Sequence, residues 1–256
     1  MESEQVQRET QKFIREKVDE ADAEGLVVGL SGGIDSATCL KLAVSALGSE
    51  KVLALIMPGE PSRKKNIEDA RGLAESLSVK RTEIEIDETV ESFRESLSFE
   101  PGKEGLGNVR ARTRMVYTYA LANKENLLVL GTGNRTEFLL GYFTKYGDAA
   151  TDIAPLLDLY KTEVRQLAKH IGLDRKFIDK KPTAGLWKGQ TDEDEIGTSY
   201  ETMDRILEAL VDEEKSMEKA SQYLEAEKDV IKRIDDMYRN SEHKREGVQG
   251  LELEKD

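Results

Sequence analysis

Apolar and polar positions alternate along this chain in two periods, one helical and one short and strand-like. Residues 1–25 are polar apart from Val6, Phe13, Ile14 and Val18, which fits an amphipathic helix. The run Leu26-Val27-Val28-Gly29-Leu30 is apolar throughout and ends in Ser31-Gly32-Gly33, the pattern of a buried strand entering a turn. Residues 36–47 read as a helix stopped by Gly48. A second strand follows at 52–57, closed by Pro58-Gly59, then a helix at 66–77 and a third strand at 82–86. The next helix, 88–97, carries Val90, Phe93 and Leu97 on one face, and after the glycine-rich stretch 101–107 a long helix runs from 108 to about 123. Residues 127–130 are the fourth strand. Strands alternating with helices predict an α/β fold: a parallel sheet with helices on both faces, its ligands at the carboxyl ends of the strands. From Lys161 onward the pattern is mostly helical, and residues 241–256 are polar and expected to be loosely ordered. With no repeat or low-complexity linker, the 256 residues read as one domain: an N-terminal helix (1–25), an α/β core (26–160) and a helical C-terminal part (161–256).

Composition narrows the function more than the fold. No apolar run approaches the roughly 20 residues of a membrane span, the first residues lack a secretory pattern, and the expected location is the cytoplasm. Cys39 is the only cysteine, which excludes an internal disulfide or a cysteine-rich zinc site. The net charge of −13, from 51 acidic and 38 basic residues, argues against a general nucleic-acid binder. A local site on an acidic molecule can still be positive and take a small anion.

The segment Leu30-Ser31-Gly32-Gly33-Ile34-Asp35-Ser36 lies between a strand and a helix, where backbone N–H groups and the helix dipole favour an anion. Adjacent glycines let the backbone approach phosphate oxygens, and Ser31 and Ser36 add hydroxyls. There is no G-x-x-x-x-G-K-[ST] and no G-x-G-x-x-G, since Gly131 and Gly133 are followed by Thr136. In place of a lysine the loop carries Asp35, an acceptor suited to a hard cation such as Mg²⁺. The structural alternative is a plain turn with Asp35 or Ser36 as N-cap. A second cluster, Gly131-Thr132-Gly133-Asn134-Arg135-Thr136-Glu137, follows the fourth strand and so shares that sheet edge. Thr132 offers a hydroxyl and Glu137 a second carboxylate, unless Glu137 is simply a first-turn helix glutamate.

The string S-G-G-I-D-S resembles the pyrophosphatase loop of the N-type ATP pyrophosphatases, which are Rossmann-like, of the adenine nucleotide alpha hydrolase type. Three further segments narrow the resemblance to the ammonia-dependent NAD synthetases. They are Gly141-Tyr142-Phe143-Thr144-Lys145-Tyr146-Gly147-Asp148, then Thr151-Asp152-Ile153-Ala154-Pro155-Leu156, and Lys181-Pro182-Thr183-Ala184-Gly185-Leu186-Trp187 ahead of Gly189-Gln190. Upstream, Asn108-Val109-Arg110-Ala111-Arg112-Thr113-Arg114-Met115 fits the same family, and the likeness spans roughly residues 25 to 245.

What the resemblance implies is specific. Gly29, Leu30, Ser31, Gly32, Gly33, Ile34, Asp35, Ser36, Thr132, Lys161 and Thr183 match ATP-binding positions, and Asp35 and Glu137 match Mg²⁺ ligands. Arg112, Lys145, Asp152, His243 and Lys244 match positions that hold nicotinate adenine dinucleotide (deamido-NAD). Many bacterial members of the family read Asp-His where this chain has Gly133-Asn134, so contacts made there do not carry over, although Glu137 is unaffected. Phe138, Tyr142, Phe143 and Tyr146 supply either an aromatic wall for a pyridine ring or core packing. Trp187 reads as packing, and His170 as a dipole-favoured residue in a last helical turn.

The implied reaction adenylates the nicotinate carboxylate with ATP, releasing pyrophosphate, and ammonia then displaces AMP to give NAD. The implied partners are ATP, deamido-NAD, ammonia and a second copy of the chain, with the N-terminal helix and the helical C-terminal third as interface faces. Glutamine use normally needs a cysteine nucleophile. Cys39 reads instead as a buried structural thiol, so free ammonia or a separate subunit must supply nitrogen. The alternatives are another N-type pyrophosphatase acting on a different carboxylate or a nucleic-acid base, and a non-catalytic nucleotide sensor.

Overall fold

The computed structural model describes residues 2–251 except Ala184, Lys188, Glu225 and Gln249. Four parallel strands, β1 (Gly25–Gly29), β2 (Val52–Ile56), β3 (Lys80–Glu83) and β4 (Leu127–Leu130), lie in the order β3-β2-β1-β4. Because side chains alternate across a strand, the two sheet faces receive different residues. Leu26, Val28, Ala54 and Ile56 pack on one face with the helices α1 (Ser3–Glu20), α2 (Ile34–Leu47), α3 (Lys64–Ser76) and, later in the chain, Lys161–His170. Val27, Leu53, Leu55 and Val129 face the other side, against Tyr119, Leu121 and Ala122 of α5 (Gly102–Glu125). Both faces are covered, as the apolar strand runs require.

The chain moves outward from β1 to β2 and β3, then returns through α4 (Asp87–Ser96) and α5 to β4 on the opposite side of β1. The strand order therefore reverses between β1 and β4, and the crevice beyond their carboxyl ends is where an open α/β sheet binds its ligands. Past β4, Ile153 bridges Leu130 in parallel, which continues the sheet edge for one further step.

The C-terminal half contains α6 (Arg135–Leu140), α7 (Lys161–His170), α8 (Arg175–Ile178), α9 (Asp192–Ile196), α10 (Tyr200–Leu207), α11 (Met217–Leu224), α12 (Lys228–Asn240) and α13 (Glu242–Arg245). A second core joins Leu139 and Leu140 of α6 to Tyr200, Met203, Ile206 and Leu207 of α10 and to Ile231 and Ile234 of α12. The two cores interleave in sequence: α6 belongs to the helical cluster, whereas Val164 and Leu167 of α7 pack on the sheet. Among the described residues no helix is long and apolar enough to cross a membrane.

Three local expectations need correction. The third strand begins two residues earlier than its apolar signal, because β3 is an edge strand with a polar, exposed surface, covered by the Arg71–Glu83 ion pair at 2.6 Å. On α4 only Val90 is buried, while Phe93 remains 47 % exposed. The segment after residue 240 is not a loose tail throughout: α13 is anchored by Lys244 and Arg245, which donate to the carbonyls of Gly141 and Leu139 at 2.7 Å each. The end of the chain beyond Leu251 lies outside the described residues.

Candidate active site

The loop leaving β1 opens onto a cavity of about 890 Å³ at the switch point. Gly29, Leu30, Ser31, Gly33, Ile34, Asp35 and Ser36 all line it. Its shape is set by hydroxyls: the Gly33 amide donates to Ser31 Oγ at 3.2 Å, Ser31 Oγ and Ser36 Oγ lie 3.0 Å apart, and Ser36 Oγ donates to the Gly33 carbonyl at 3.2 Å. Gly33 is the N-cap of α2 and offers no side chain, so neither Asp35 nor Ser36 fills that role. The opening amides of α2 lack intrahelical acceptors and present a partial positive charge. Gly32 alone turns away from the cavity. Its φ of +76° and the Asn66 carbonyl oxygen, 2.1 Å from where a Cβ would stand, admit only glycine there.

A charged centre sits beside the loop. Lys161, at the start of α7, is 1 % exposed, and its Nζ donates to Asp35 Oδ2 at 2.6 Å and to Glu137 Oε1 at 3.0 Å. Burial works to lower the Lys161 pKa, but the two carboxylates outweigh it and hold the ammonium above its ordinary range. Desolvation raises the Glu137 carboxyl to about 7; Lys161 counteracts this and Asp35 adds to it. Asn134 is fully buried and explains how the two carboxylates are held together. Its amide donates to Asp35 Oδ1 at 3.1 Å, while its side-chain oxygen caps α6 by accepting from the Glu137 amide at 3.0 Å.

Behind the centre, Thr136 Oγ1 donates to Asp204 Oδ1 at 2.5 Å and accepts from the Lys161 amide at 2.9 Å. Asp204 also accepts from the Thr162 amide at 2.8 Å, which fixes the first turn of α7 and hence the direction of Lys161. Tyr200, fully buried, places its ring 5.0 Å from Lys161 Nζ and donates its hydroxyl to Asp192 at 2.9 Å.

Thr132, Glu137, Lys161, Thr183 and Lys244 share the cavity with the loop, as do Tyr142, Phe143 and Trp187. Thr183 Oγ1 donates to the Gln190 carbonyl at 2.8 Å. Arg112, Lys145, Asp152 and His243 do not line the cavity. Arg112 donates to the Lys145 carbonyl at 3.1 Å, and Lys145 Nζ to the His243 carbonyl at 2.6 Å, so three of the four gather on the outer side of α5. Asp152, in the segment between α6 and α7, accepts from Oη of Tyr119 on α5 at 3.0 Å and from the Val129 amide of β4 at 2.7 Å. Of the four aromatics read as either a wall for a pyridine ring or core packing, Tyr142 and Phe143 line the cavity, Phe138 does not but stacks on Phe143, and Tyr146 is 57 % exposed.

Sequence reading missed Asn134, Asp204, Tyr200 and Arg114. The Asn134-x-x-Glu137 spacing is a readable capping signal. The others had none, because their roles come from contacts between distant segments. Arg114 lines the cavity with its Nε on the Met57 carbonyl at 3.1 Å, and burial lowers its pKa to about 10. Cys39 is buried, its thiol 3.5 Å from the Gly131 carbonyl, and desolvation pushes its pKa well up, so it carries no thiolate.

Among the described residues no group of three or more His, Cys, Asp or Glu side chains forms a metal cage. Asp35 and Glu137 instead converge on the Lys161 ammonium beside the phosphate loop; as two carboxylates they are chemically suited to share a cation that arrives with phosphate and water oxygens.

A family model described as NAD synthase matches residues 6–248. An NH(3)-dependent NAD(+) synthetase from Thermococcus kodakarensis is 51% identical over 233 residues, 91% of either chain. Among solved structures, an NMN synthetase from Francisella tularensis superposes with a TM-score of 0.88 at 35% identity, covering 99% of this chain and 100% of that one. An NH3-dependent NAD synthetase from Campylobacter jejuni gives 0.84 at 32% identity, covering 98% and 100%.

Proposed function

This chain belongs to the NAD synthase family, and on that premise we propose that it converts deamido-NAD to NAD with ammonia, splitting ATP into AMP and pyrophosphate. The observation that carries the reading is the meeting of Asp35 and Glu137 on Lys161 at the mouth of the phosphate loop. The loop amides and hydroxyls take the β- and γ-phosphates, and Lys161 offsets charge on the phosphates as the nicotinate carboxylate attacks the α-phosphorus. Thr132 and Thr183 border the nucleotide. Mg²⁺ held by Asp35 and Glu137 would neutralise phosphate charge when bound. Ammonia then attacks the acyl-adenylate and displaces AMP, and the protein acts chiefly by positioning.

By the resemblance Arg112, Lys145, Asp152 and the His243-Lys244 pair hold the dinucleotide, and since only Lys244 lines the cavity, the others would take the part of it that reaches beyond the cavity. Three of these line the outer side of α5, whose Val116 is 59 % exposed, with Phe93 of α4 also uncovered. The apolar residues of α1, by contrast, pack against the sheet-side core. We therefore place the homodimer interface on α4 and α5 rather than on α1. Light scattering is expected to give twice the chain mass for the wild type and the single-chain mass for Val116→Glu; a monomeric wild type with full activity refutes the dimer. The enzyme acts in the cytoplasm, with no nucleic-acid or membrane partner.

The likeness to an NMN synthetase supplies a second reading, in which nicotinate mononucleotide is the acceptor. Purified protein with ATP and Mg²⁺ is assayed with either acceptor and with ammonium or glutamine. The expected result is NAD and stoichiometric AMP from deamido-NAD and ammonium. A clear preference for the mononucleotide selects the second reading, ADP in place of AMP refutes adenylation, and efficient glutamine use by the chain alone refutes the nitrogen source.

A further inference from the structure

The phosphate loop is also held by a residue from far along the chain. Lys180 Nζ donates to the Gly32 carbonyl at 2.7 Å and to Asp69 Oδ2 at 2.6 Å. Asp69 lies on α3 and is 7 % exposed, and Lys176 approaches its other oxygen at 3.7 Å. Lys180 lines the cavity wall, packs 5.4 Å from the centroid of Phe177, and precedes Thr183 by three residues. One ammonium thus joins the phosphate loop, α3 and the segment that carries Thr183.

The geometry of a trans peptide gives this contact a consequence. The carbonyl oxygen and the following N–H point in opposite directions from one plane. With the Gly32 carbonyl turned to Lys180, the Gly33 N–H points the other way, toward Ser31 Oγ, and Gly33 itself lines the cavity. Two adjacent glycines have soft dihedrals, so the orientation of this peptide depends on its two ties, the 3.2 Å bond from the Gly33 N–H to Ser31 Oγ and the shorter, charge-assisted bond from Lys180. The flipped peptide would present a carbonyl oxygen to an anion.

We propose that Lys180, held by Asp69, is a positioning residue that locks the Gly32–Gly33 peptide with its N–H turned toward the leaving pyrophosphate. The inference rests on the reading of this loop as the pyrophosphate site. In this role Lys180 acts through the peptide it holds. Loss of the ammonium therefore weakens the grip on pyrophosphate selectively, and leaves recognition of the adenylate half intact.

The test is calorimetric titration of the full chain with magnesium pyrophosphate and, separately, with AMP, for wild type, Lys180→Met, Lys180→Arg and Asp69→Asn. A charge-assisted hydrogen bond to one loop peptide corresponds to a loss of roughly tenfold to a hundredfold. Lys180→Met is expected to weaken pyrophosphate binding by about that factor with AMP affinity within about twofold of wild type. Lys180→Arg is expected to recover most of the loss, and Asp69→Asn to give an intermediate effect. Wild-type pyrophosphate affinity in Lys180→Met overturns the proposal, as does an equal loss for pyrophosphate and AMP, which marks general structural damage. If Lys180→Met does not fold, Asp69→Asn carries the test, and its unchanged pyrophosphate affinity overturns the proposal. A wild type that binds AMP but no pyrophosphate refutes the underlying reading of the loop instead.

Discussion

Lys161→Met is expected to reduce turnover by about a thousandfold while leaving a folded protein at slightly acid pH. Lys161 is the cation nearest to both proposed metal ligands, and its loss removes a preorganised charge from the phosphoryl centre, an effect of about 3–4 kcal/mol in comparable sites. The stability of the variant carries a second signature. Without the ammonium, Asp35 and Glu137 face each other uncompensated, so one of them must hold a proton or the fold must loosen. Thermal unfolding should therefore show a loss of stability in Lys161→Met that grows with rising pH. The double variant Lys161→Met/Glu137→Gln should recover stability at neutral pH without recovering turnover. Additive stability losses in the double variant would show that the three groups do not act as a unit.

The second large effect is expected for Asp35→Asn and Glu137→Gln, each lowering turnover by about 10²- to 10³-fold at saturating ATP. Near-normal rates at saturating Mg²⁺ in either variant would remove that residue from the ligand pair. Glu137 adds a dependence on pH whose sign follows from linkage. Its folded pKa of about 7 lies above the ordinary carboxylate value, so between about 4.5 and 7 the folded state binds more protons than the unfolded chain. Its contribution to stability is complete below that window and is lost as the pH rises through it. The metal-free wild type should thus lose stability across this interval relative to Glu137→Gln, read as the difference in Tm between them. Mg²⁺ with ATP should offset the loss, because the ionised carboxylate then has a cation partner. Identical pH profiles for the two proteins would place the raised pKa elsewhere.

Local sequence determined the parts of this protein that depend on local physics. The apolar runs at Leu26 and Val52 specified buried strands, Gly48 stopped α2, and S-G-G-I-D-S between a strand and a helix marked the anion loop. The spacing Asn134-x-x-Glu137 already encoded the cap that sets Glu137. Tertiary structure decided what each signal meets. Lys161 lies 126 residues from Asp35, and neither position reveals that an ammonium will be shared between two carboxylates. The apolar face of α4 was visible as a period, but a period records only that a face is apolar, not which element covers it, and Phe93 stays exposed. The polar residues after 240 read as a tail because their anchors, the carbonyls of Leu139 and Gly141, are backbone groups that leave no mark in side-chain pattern. Lys180 is the extreme case. Its partner is a glycine carbonyl 148 residues away, and such a contact exists only once the sheet has brought the two segments to one edge.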